Sequence, residues 1–294
     1  MGYAPHLHCL QDEGVHPAVE AKLVDLSDSF LAMMGSMHSL ELESMEPHPL
    51  TVSTITFTGR MSIKQLDLMQ VELYISMNEE DDGLKVKTKG RKRKLVTTDA
   101  QGNTIEGEYR AFYNQLEISY ERKSIKLFKN GSVQVTGCRS HFEFVFTIEH
   151  VCSVLNAALD TSARLEHLDI QMIQANFTVG ATLDLGSLQA VFMSNGVEYA
   201  SYEPDVYPGL NVKLVIDERK CTALLFRSGS VTLTGAKDPW TVALAYEKVC
   251  KTLDGATAHR TTIPGFIPRA GRSKHQSIRF IEGYPSFMFY LCAK

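Results

Sequence analysis

The chain has 294 residues and is 44% hydrophobic, so it is long enough for one large domain with extensions and a sizeable core. Its net charge of −4 is less positive than expected for a protein that grips phosphates. No apolar run approaches a membrane span, no signal peptide is evident, and the six cysteines lack metal-ligand spacing. We therefore expect an intracellular protein with reduced cysteines, no membrane partner, no cofactor and no metal.

Residues 1–48 form an acidic N-terminal extension. They hold eight acidic residues and one basic residue, Lys22, a net charge of −7, which leaves +3 for the rest of the chain. Apolar residues at helical spacing between Val19 and Met34 predict a helix. The helix either packs against the domain, which we favour, or forms an acidic arm that binds a partner.

A twelve-residue phrase at residues 127–138 returns at residues 225–236, an offset of 98 residues that suits two halves of a duplicated domain. Apolar residues at every second position predict one hairpin in each half, with a buried face. The predicted buried residues are Ile125, Leu127, Val133 and Val135, and then Ala223, Leu225, Val231 and Leu233. Phe128 and Phe226 lie on the opposite face beside each turn. A lone Phe there usually packs under a loop, but a matched pair favours apolar wedges of the kind that kink DNA.

The remaining elements divide the chain into two repeats, at 49–160 and 161–255, and a C-terminal extension at 256–294. Each repeat is predicted to contain a strand, a short helical region, antiparallel strands and a long helix, at 142–159 and at 239–253. An insertion at 78–108 begins acidic and becomes basic. It is a solvated hairpin or loop, a nuclear-localisation signal or an arm that contacts phosphates. The tail is basic and then aromatic, which indicates a strand docked on the domain or a subunit contact.

Motifs of the second repeat are specific. Residues 201–210, Ser-Tyr-Glu-Pro-Asp-Val-Tyr-Pro-Gly-Leu, resemble the "SYEPELFPGL" segment of the TATA-box-binding protein family, and residues 234–237 match its "TGAK". Residues 52–56 resemble its opening strand, and residues 128–131 and 136–139 match "FxSG" and "TGAK" more loosely. The resemblance covers residues 49–255. Residues 112–115 and 129–131 resemble the divergent members carried by large DNA viruses.

The resemblance implies an α+β fold, a duplicated saddle whose curved antiparallel sheet carries long helices on its convex face. The concave face would bind DNA in the minor groove. Carried over position by position, the groove floor is Val52, Thr54, Thr136, Leu224 and Thr234, with Gln174 at a further floor position. The implied wedges are Phe112, Phe128, Tyr207 and Phe226, and the implied phosphate contacts are Arg139, Lys213 and Lys237.

Several positions depart from the family pattern, mostly in the first repeat. Leu50 and Met172 replace the Asn of each opening strand, and Glu117 replaces an Arg. Lys126 replaces a groove-floor Leu, while Gln134 and Gln174 replace Val. These changes put recognition of a standard TATA element in doubt, although bending survives if the wedges do.

The function implied is a general transcription initiation factor that binds and bends promoter DNA and recruits a factor-IIB-like protein and RNA polymerase. Glu203, Asp205 and Val206 match the surface that docks the factor-IIB-like partner. The alternative is an architectural or packaging protein that bends DNA with little sequence preference. We do not expect an enzyme, because no catalytic motif occurs and the tail is too short for a catalytic domain. The expected location is the nucleus or, for a viral protein, the cytoplasmic factory or virion.

Overall fold

Runs of consecutive strands separate some of the helices, and the strand pairs are antiparallel, which confirms the predicted α+β class. The computed structural model describes residues 16–38, 40–42, 47, 49–87, 92–98, 104–110 and 114–258. The helices are α1 (Pro17–His38), α2 (Leu68–Met77), α3 (Glu79–Asp82), α4 (His141–Leu159), α5 (Leu185–Ser194) and α6 (Pro239–Ala258).

The strands follow the order that the two repeats predict. They are β1 (Thr51–Met61), β2 (Leu84–Val86), β3 (Lys92–Thr98), β4 (Thr104–Arg110), β5 (Gln115–Tyr120), β6 (Lys123–Phe128), β7 (Ser132–Cys138), β8 (Leu165–Thr178), β9 (Tyr199–Ser201), β10 (Leu210–Ile216), β11 (Arg219–Leu225) and β12 (Ser230–Ala236). Inside the predicted insertion lie α3, β2 and the β3–β4 hairpin. The insertion is therefore more than a loop, because β2 pairs with β5 as an edge strand.

The chain forms two compact units, and β1 and β8 each contribute to both. In the first unit, which includes Phe57–Gly137 and Phe142–Asp169, the strands pair in the order β2-β5-β6-β7-β1-β8. Helix α2 packs on β2 and β5. The rings of Phe57 and Phe144 stack with their centroids 4.5 Å apart, and both side chains are fully buried. This pair joins β1 to α4 in the core.

In the second unit, which includes Ile170 to the end of α6, the strands pair in the order β1-β8-β12-β11-β10-β9. Helix α6 packs against β10, β11 and β12, and α5 packs against α6. Phe177 of β8 meets Tyr246 of α6 edge to face, with ring centroids 4.8 Å apart. The buried sheet face and the helices thus form one core within this unit.

The two hairpins have the buried faces that their alternation predicts. Strands β6 and β7 form the first hairpin, and β11 and β12 form the second. All eight side chains predicted to be buried are at most 1% exposed. Phe128 and Phe226 are half-buried on the opposite face. The two-residue period of a strand therefore separates core positions from surface positions in both repeats.

Equivalent glycines close the two hairpins. Gly131 and Gly229 have φ of 78° and 85°, a left-handed conformation that other residues seldom adopt. A Cβ at Gly131 would lie 1.9 Å from the Ile63 carbonyl oxygen, and one at Gly229 would lie 2.2 Å from that of Ala181. Each turn also hydrogen-bonds to another part of its own unit. Gly131 O accepts from Met61 N at the end of β1, and Gly229 O accepts from Val179 N just after β8. Glycine recurs at this place in both phrases because the turn leaves no room for a side chain.

Helix α4 corrects the expectation that no apolar run approaches a membrane span. Its 19 residues are long and apolar enough to cross a membrane by length and composition alone. Half of its apolar window is buried within the protein. Phe144, Ile148 and Leu155 are fully buried on its inner face. The apolar character of α4 therefore matches its place in the core of the first unit.

The predicted N-terminal helix is α1, and it packs against the protein rather than standing free. Val19, Leu23, Leu26 and Met33 are buried along it. In the first unit Lys22 bonds to Asp169. Burial acts to raise the pKa of the Asp169 carboxyl, but the hydrogen bonds and charges of Lys22 and His167 hold it below its usual range. In the second unit Phe30 stacks on His141 with ring centroids 6.0 Å apart. The packed helix that we favoured is thus the observed state.

His141 is a buried titratable group beneath α1. Its Nε2 lies 2.8 Å from Ser27 Oγ, and that hydroxyl donates its proton to Leu23 O at 2.9 Å. Because the single hydroxyl proton is already used, Nε2–H donates to Ser27 Oγ. The His141 side chain is 3% exposed, and burial lowers its pKa from 6.5 to about 4. Between pH 6.5 and about 4, the His141 imidazole is therefore neutral in the folded protein but protonated in the unfolded chain.

We expect the free energy of unfolding to fall as the pH drops from 6.5 to about 4. In that window the unfolded chain binds the His141 proton and the folded protein does not, so acid favours unfolding by up to about 3 kcal/mol. His141→Gln keeps a donor near Nε2 but does not titrate. Urea unfolding at pH 7.5 and 4.5 should show a loss about 2–3 kcal/mol smaller in this variant. An equal loss in both proteins would show that another group causes the acid sensitivity.

Candidate nucleic-acid interface

The candidate interface in the second unit is the sheet face opposite the buried hairpin residues. Cross-strand neighbours form two rows on it. Asn211, Leu224, Thr232 and Asn176 make one row, and Lys213, Thr222 and Thr234 make the other. Apart from Lys213 these side chains are uncharged and half-buried. The face therefore offers hydroxyls, amides and one leucine, close together and partly accessible.

Two of the predicted wedges lie together at the edge of this face. The rings of Tyr207 and Phe226 meet edge to face with centroids 6.1 Å apart. Gly209 lies against both, since a Cβ there would be 2.8 Å from the Tyr207 ring and 3.1 Å from the Phe226 ring. Tyr207 remains 39% exposed. The absence of a side chain at Gly209 lets the two rings approach each other at the surface.

The first unit has its aromatic at the matching place. Phe128 O accepts a hydrogen bond from Gly131 N at 2.9 Å, as Phe226 O does from Gly229 N. The Phe128 ring lines a pocket of about 430 Å³ with Lys64, Gln65, Asn114, Lys129 and Asn130. Phe112, the other wedge predicted in this repeat, lies outside the described residues. Its role stays a prediction.

The same face of the first unit is charged. Glu117 stands opposite Lys126 on the neighbouring strand, and Lys126 stands opposite Gln134. Lys87 Nζ lies 3.5 Å from Glu117 Oε1 and donates to Ser124 Oγ at 3.0 Å, while Ser124 Oγ donates to Glu117 Oε1 at 3.2 Å. The Glu117 side chain is 18% exposed. An ion-pair network therefore occupies this row, where the second unit has Leu224 and Asn211.

Sequence reasoning noticed Glu117 and Lys126 but missed Lys87. The partner lies 30 residues earlier, within the insertion. Lys87 N donates to Glu117 O at 2.8 Å, which extends the β2–β5 pairing by one residue and places the two side chains side by side. The only sequence signal was the change of charge at position 117, which demands a nearby cation when the carboxylate is partly buried.

The other predicted groove-floor residues differ in exposure. Thr54, Thr136 and Gln174 are half-buried. Thr234 is also half-buried and donates from Oγ1 to Met172 Sδ at 3.3 Å. Val52 is only 7% exposed, which differs from an accessible floor position. Val52 lies in β1, which has a neighbouring strand on each side.

The predicted phosphate contacts differ in accessibility. Lys213 and Lys237 are exposed, and Arg139 is half-buried. Lys213 Nζ lies 4.8 Å from the centre of the Tyr199 ring, a cation–π contact that holds the ammonium at the sheet edge. In the second unit, two exposed cations therefore lie on or beside the strands that carry the floor residues.

The predicted partner loop is ordered by its own glutamate. Glu203 O accepts hydrogen bonds from Val206 N at 2.9 Å and from Tyr207 N at 2.8 Å. The Glu203 side chain accepts from Ser201 Oγ at 2.9 Å. Glu203, Asp205 and Val206 are all exposed, and Val206 is 81% exposed. The loop thus presents two carboxylates and an apolar side chain on a short, hydrogen-bonded turn.

The described cysteines are unsuited to surface chemistry. Cys138, Cys152, Cys221 and Cys250 are free and buried. Burial raises the pKa of Cys152 and of Cys250 to about 12, so both thiols stay protonated. Within the described ranges, no three His, Cys, Asp or Glu side chains converge as metal ligands would.

A family model described as "Transcription factor TFIID (or TATA-binding protein, TBP)" matches residues 167–256. The TATA-box-binding protein of Thermoplasma volcanium is 31% identical over 132 residues, which are 45% of this chain and 69% of that protein. TATA-box-binding protein E of Halobacterium salinarum is 30% identical over 131 residues, 44% of this chain and 66% of that protein.

Among solved structures, one titled "Methanococcus jannaschii TBP" aligns with 71% of this chain and 99% of its own, at 20% identity and a TM-score of 0.46. The sequence relatives confirm the family that residues 201–210 and 234–237 predict, while the resemblance to viral members stays a prediction. The chain is a divergent member of the TATA-box-binding protein family.

Proposed function

We propose that this protein is a transcription initiation factor that binds promoter DNA through the minor groove and bends it. The observation that carries the proposal is the matched pair Phe128 and Phe226. Each lies at the same turn of its repeat, on the face opposite the core, in a member of this family. Apolar side chains inserted between base steps unstack them and kink the duplex.

The chemistry of the second unit suits A·T pairs. The minor groove presents only acceptors at A·T pairs and adds the guanine amino group at G·C pairs. Leu224, Thr222 and Thr234 lie among half-buried neighbours. Thr222 offers a hydroxyl donor beside the apolar Leu224, whereas the Thr234 hydroxyl donates to Met172 Sδ. An additional amino group on the groove floor would meet Leu224, which cannot accept its hydrogen bond. This supports a preference for A·T pairs on this side.

The first unit supports a different preference, and it favours the second candidate, an architectural protein with little sequence specificity. Glu117 carries a negative charge on the face that would meet groove acceptors. Lys87 pairs with it, and Lys126 stands opposite it on the neighbouring strand. The shape and deformability of the DNA then contribute more to binding than the fit of side chains to the groove floor. The two candidate functions differ in how strongly each half of the bound DNA must match a particular base sequence.

Selection of bound duplexes from a random pool tests the proposal. We expect a consensus with one A·T-only half, matched to the second unit, beside a loosely specified half. Enrichment of this kind requires sequence preference, which initiation at promoters needs. A bound pool with no consensus, combined with bending, would favour the architectural candidate instead. No binding to any duplex would reject both.

We expect Phe128→Ala and Phe226→Ala to lower DNA bending and to weaken binding about tenfold or more, because each removes one wedge. Energy transfer between dyes at the duplex ends measures the bend. Each change should cost only about 1 kcal/mol of folding stability, since the rings are half-buried outside the core.

Leu225→Ala is the matched control. Leu225 adjoins Phe226 but is fully buried, so its truncation should cost about 2–5 kcal/mol of stability. The folded fraction of this variant should still bend DNA. Intact bending by either Phe variant, or loss of stability equal to that of the control, would contradict the wedge role.

Recruitment of a factor-IIB-like protein and RNA polymerase is the finer part of the proposal. The loop of Glu203, Asp205 and Val206 supports it, because its carboxylates and its exposed valine are held on an ordered turn. Charges at an interface rim chiefly steer and select the partner. A loop that served only DNA would gain nothing from two carboxylates.

We expect Glu203→Lys with Asp205→Lys to leave DNA affinity unchanged or slightly higher and to weaken the ternary complex at least about tenfold. A gel-shift titration with the factor-IIB-like protein from the same source measures both. Glu198→Lys with Glu218→Lys makes the same change of net charge at exposed positions outside the loop. Equal ternary complexes from the two double variants would reject the assignment of the loop.

A further inference from the structure

Helices α2 and α5 are the same element in the two repeats. Each has ten residues and begins after an aspartate whose side chain caps the first turn. Asp67 Oδ1 accepts from Met69 N and Gln70 N, and Asp184 Oδ1 accepts from Ser187 N. The fourth and eighth residues of both helices are buried, as Val71 and Ile75 in α2 and as Leu188 and Phe192 in α5. Both helices therefore share the same length, the same capping residue and the same buried positions.

Their outward faces differ. Met69, Leu73 and Met77 lie four residues apart along α2 and are 76%, 61% and 76% exposed. We call these three residues the α2 stripe. The matching residues of α5 are Gly186, Ala190 and Ser194, all exposed. Since α5 folds with small residues at these positions, packing does not require large apolar ones. A contiguous exposed apolar stripe marks an interaction surface.

The charge around the stripe also distinguishes α2. Six acidic residues and no basic residue lie between Leu66 and Leu84, namely Asp67, Glu72, Glu79, Glu80, Asp81 and Asp82. In the corresponding stretch of the second repeat, from Leu183 to Glu198, the only charged residues are the capping Asp184 and Glu198. Lys85 lies 2.9 Å from Glu79, but Glu80 is exposed and Glu72 is half-buried. Apart from Glu72 within α2, these acidic residues precede or follow the helix in sequence, and we call the set the acidic border.

We propose that the α2 stripe docks a basic amphipathic helix of another protein. Apolar side chains at helical spacing on such a segment would pack between the methionines, whose flexible thioethers adapt to their partner. Lysine and arginine on the flanks of the segment would face the acidic border. A second copy of this chain would instead place one acidic border against another, which disfavours self-association through this surface.

A peptide display library, panned against the full chain, tests the chemistry of the partner. We expect enriched peptides with apolar residues at positions i, i+3 or i+4 and i+7, interspersed with lysine and arginine. Affinities of synthetic versions are then measured on the wild type and on a stripe variant. That variant is Met69→Ser with Leu73→Ala and Met77→Ser, which gives α2 the small-residue surface of α5.

The stripe variant should lose at least about tenfold in peptide affinity while keeping its melting temperature and its DNA affinity. Met193→Ser, on the exposed part of α5, is the matched control and should bind the peptides like the wild type. Retained melting temperature separates lost docking from lost folding. DNA affinity is an independent readout, so this inference and the proposed function fail separately.

Four outcomes would overturn the proposal. These are failure to enrich any peptide, enrichment of acidic or uncharged peptides, equal peptide affinity of the stripe variant, and equal binding of a scrambled peptide of the same composition. Analytical ultracentrifugation adds another test. A dimer of the wild type that the stripe variant abolishes would assign the surface to a second copy. Tighter peptide binding after deletion of residues 259–294 would assign it to the chain's own tail.

Discussion

Alternation of side chains along the strands is the constraint on which the structure depends. Burial of one face of each hairpin, from Ile125 to Val135 and from Ala223 to Leu233, leaves the other face for surface chemistry. A register slip of one residue would exchange the two faces and place Phe128 and Phe226 in the core. The turns at Gly131 and Gly229 oppose such a slip, because it would bring another residue to a position where a Cβ clashes with a backbone carbonyl oxygen. Alternation therefore decides which side chains the core constrains and which lie on the surface, where their chemistry can differ between the repeats.

The two units use this freedom differently. The second unit keeps an uncharged face around Leu224 and Thr234, whereas the first places Glu117, Lys87 and Lys126 on the matching face. Partly exposed ion pairs contribute about 0–1 kcal/mol, so the network adds little to stability. Its main effect is on the surface, since it replaces an apolar fit with fixed charges. The result is one scaffold with two chemically distinct halves.

Much of the fold follows from patterns within single segments. The hairpin faces, the two long helices and the packed N-terminal helix could be predicted because period and composition are local properties. Helix α6 runs past its predicted end, to Ala258, and continues through Gly255, although a glycine at that place commonly ends a helix. The β2 strand within the insertion was missed, because its pairing with β5 is a tertiary contact.

The site was less predictable than the fold. Family motifs located Phe226, Tyr207 and the Glu203 loop, and the structure brings the first two into ring contact. The pairing of Lys87 with Glu117 could not be predicted, since it joins residues 30 apart. Burial of Val52 depends on neighbours from two other strands, and burial of His141 depends on α1, so neither is visible in a local pattern. Domain boundaries and individual DNA contacts stay predictions.

Duplication offers an internal test of which residues the fold requires. Where the repeats keep the same residue at the same place, as with Asp67 and Asp184 or Gly131 and Gly229, local geometry explains it. Where both positions are exposed and only one is large and apolar, local geometry explains nothing, because the other repeat folds without it. For the α2 stripe, the docking surface proposed above supplies a reason that the fold itself does not. This reasoning separates Leu73 from Val71 on one helix, although both are aliphatic and only two residues apart.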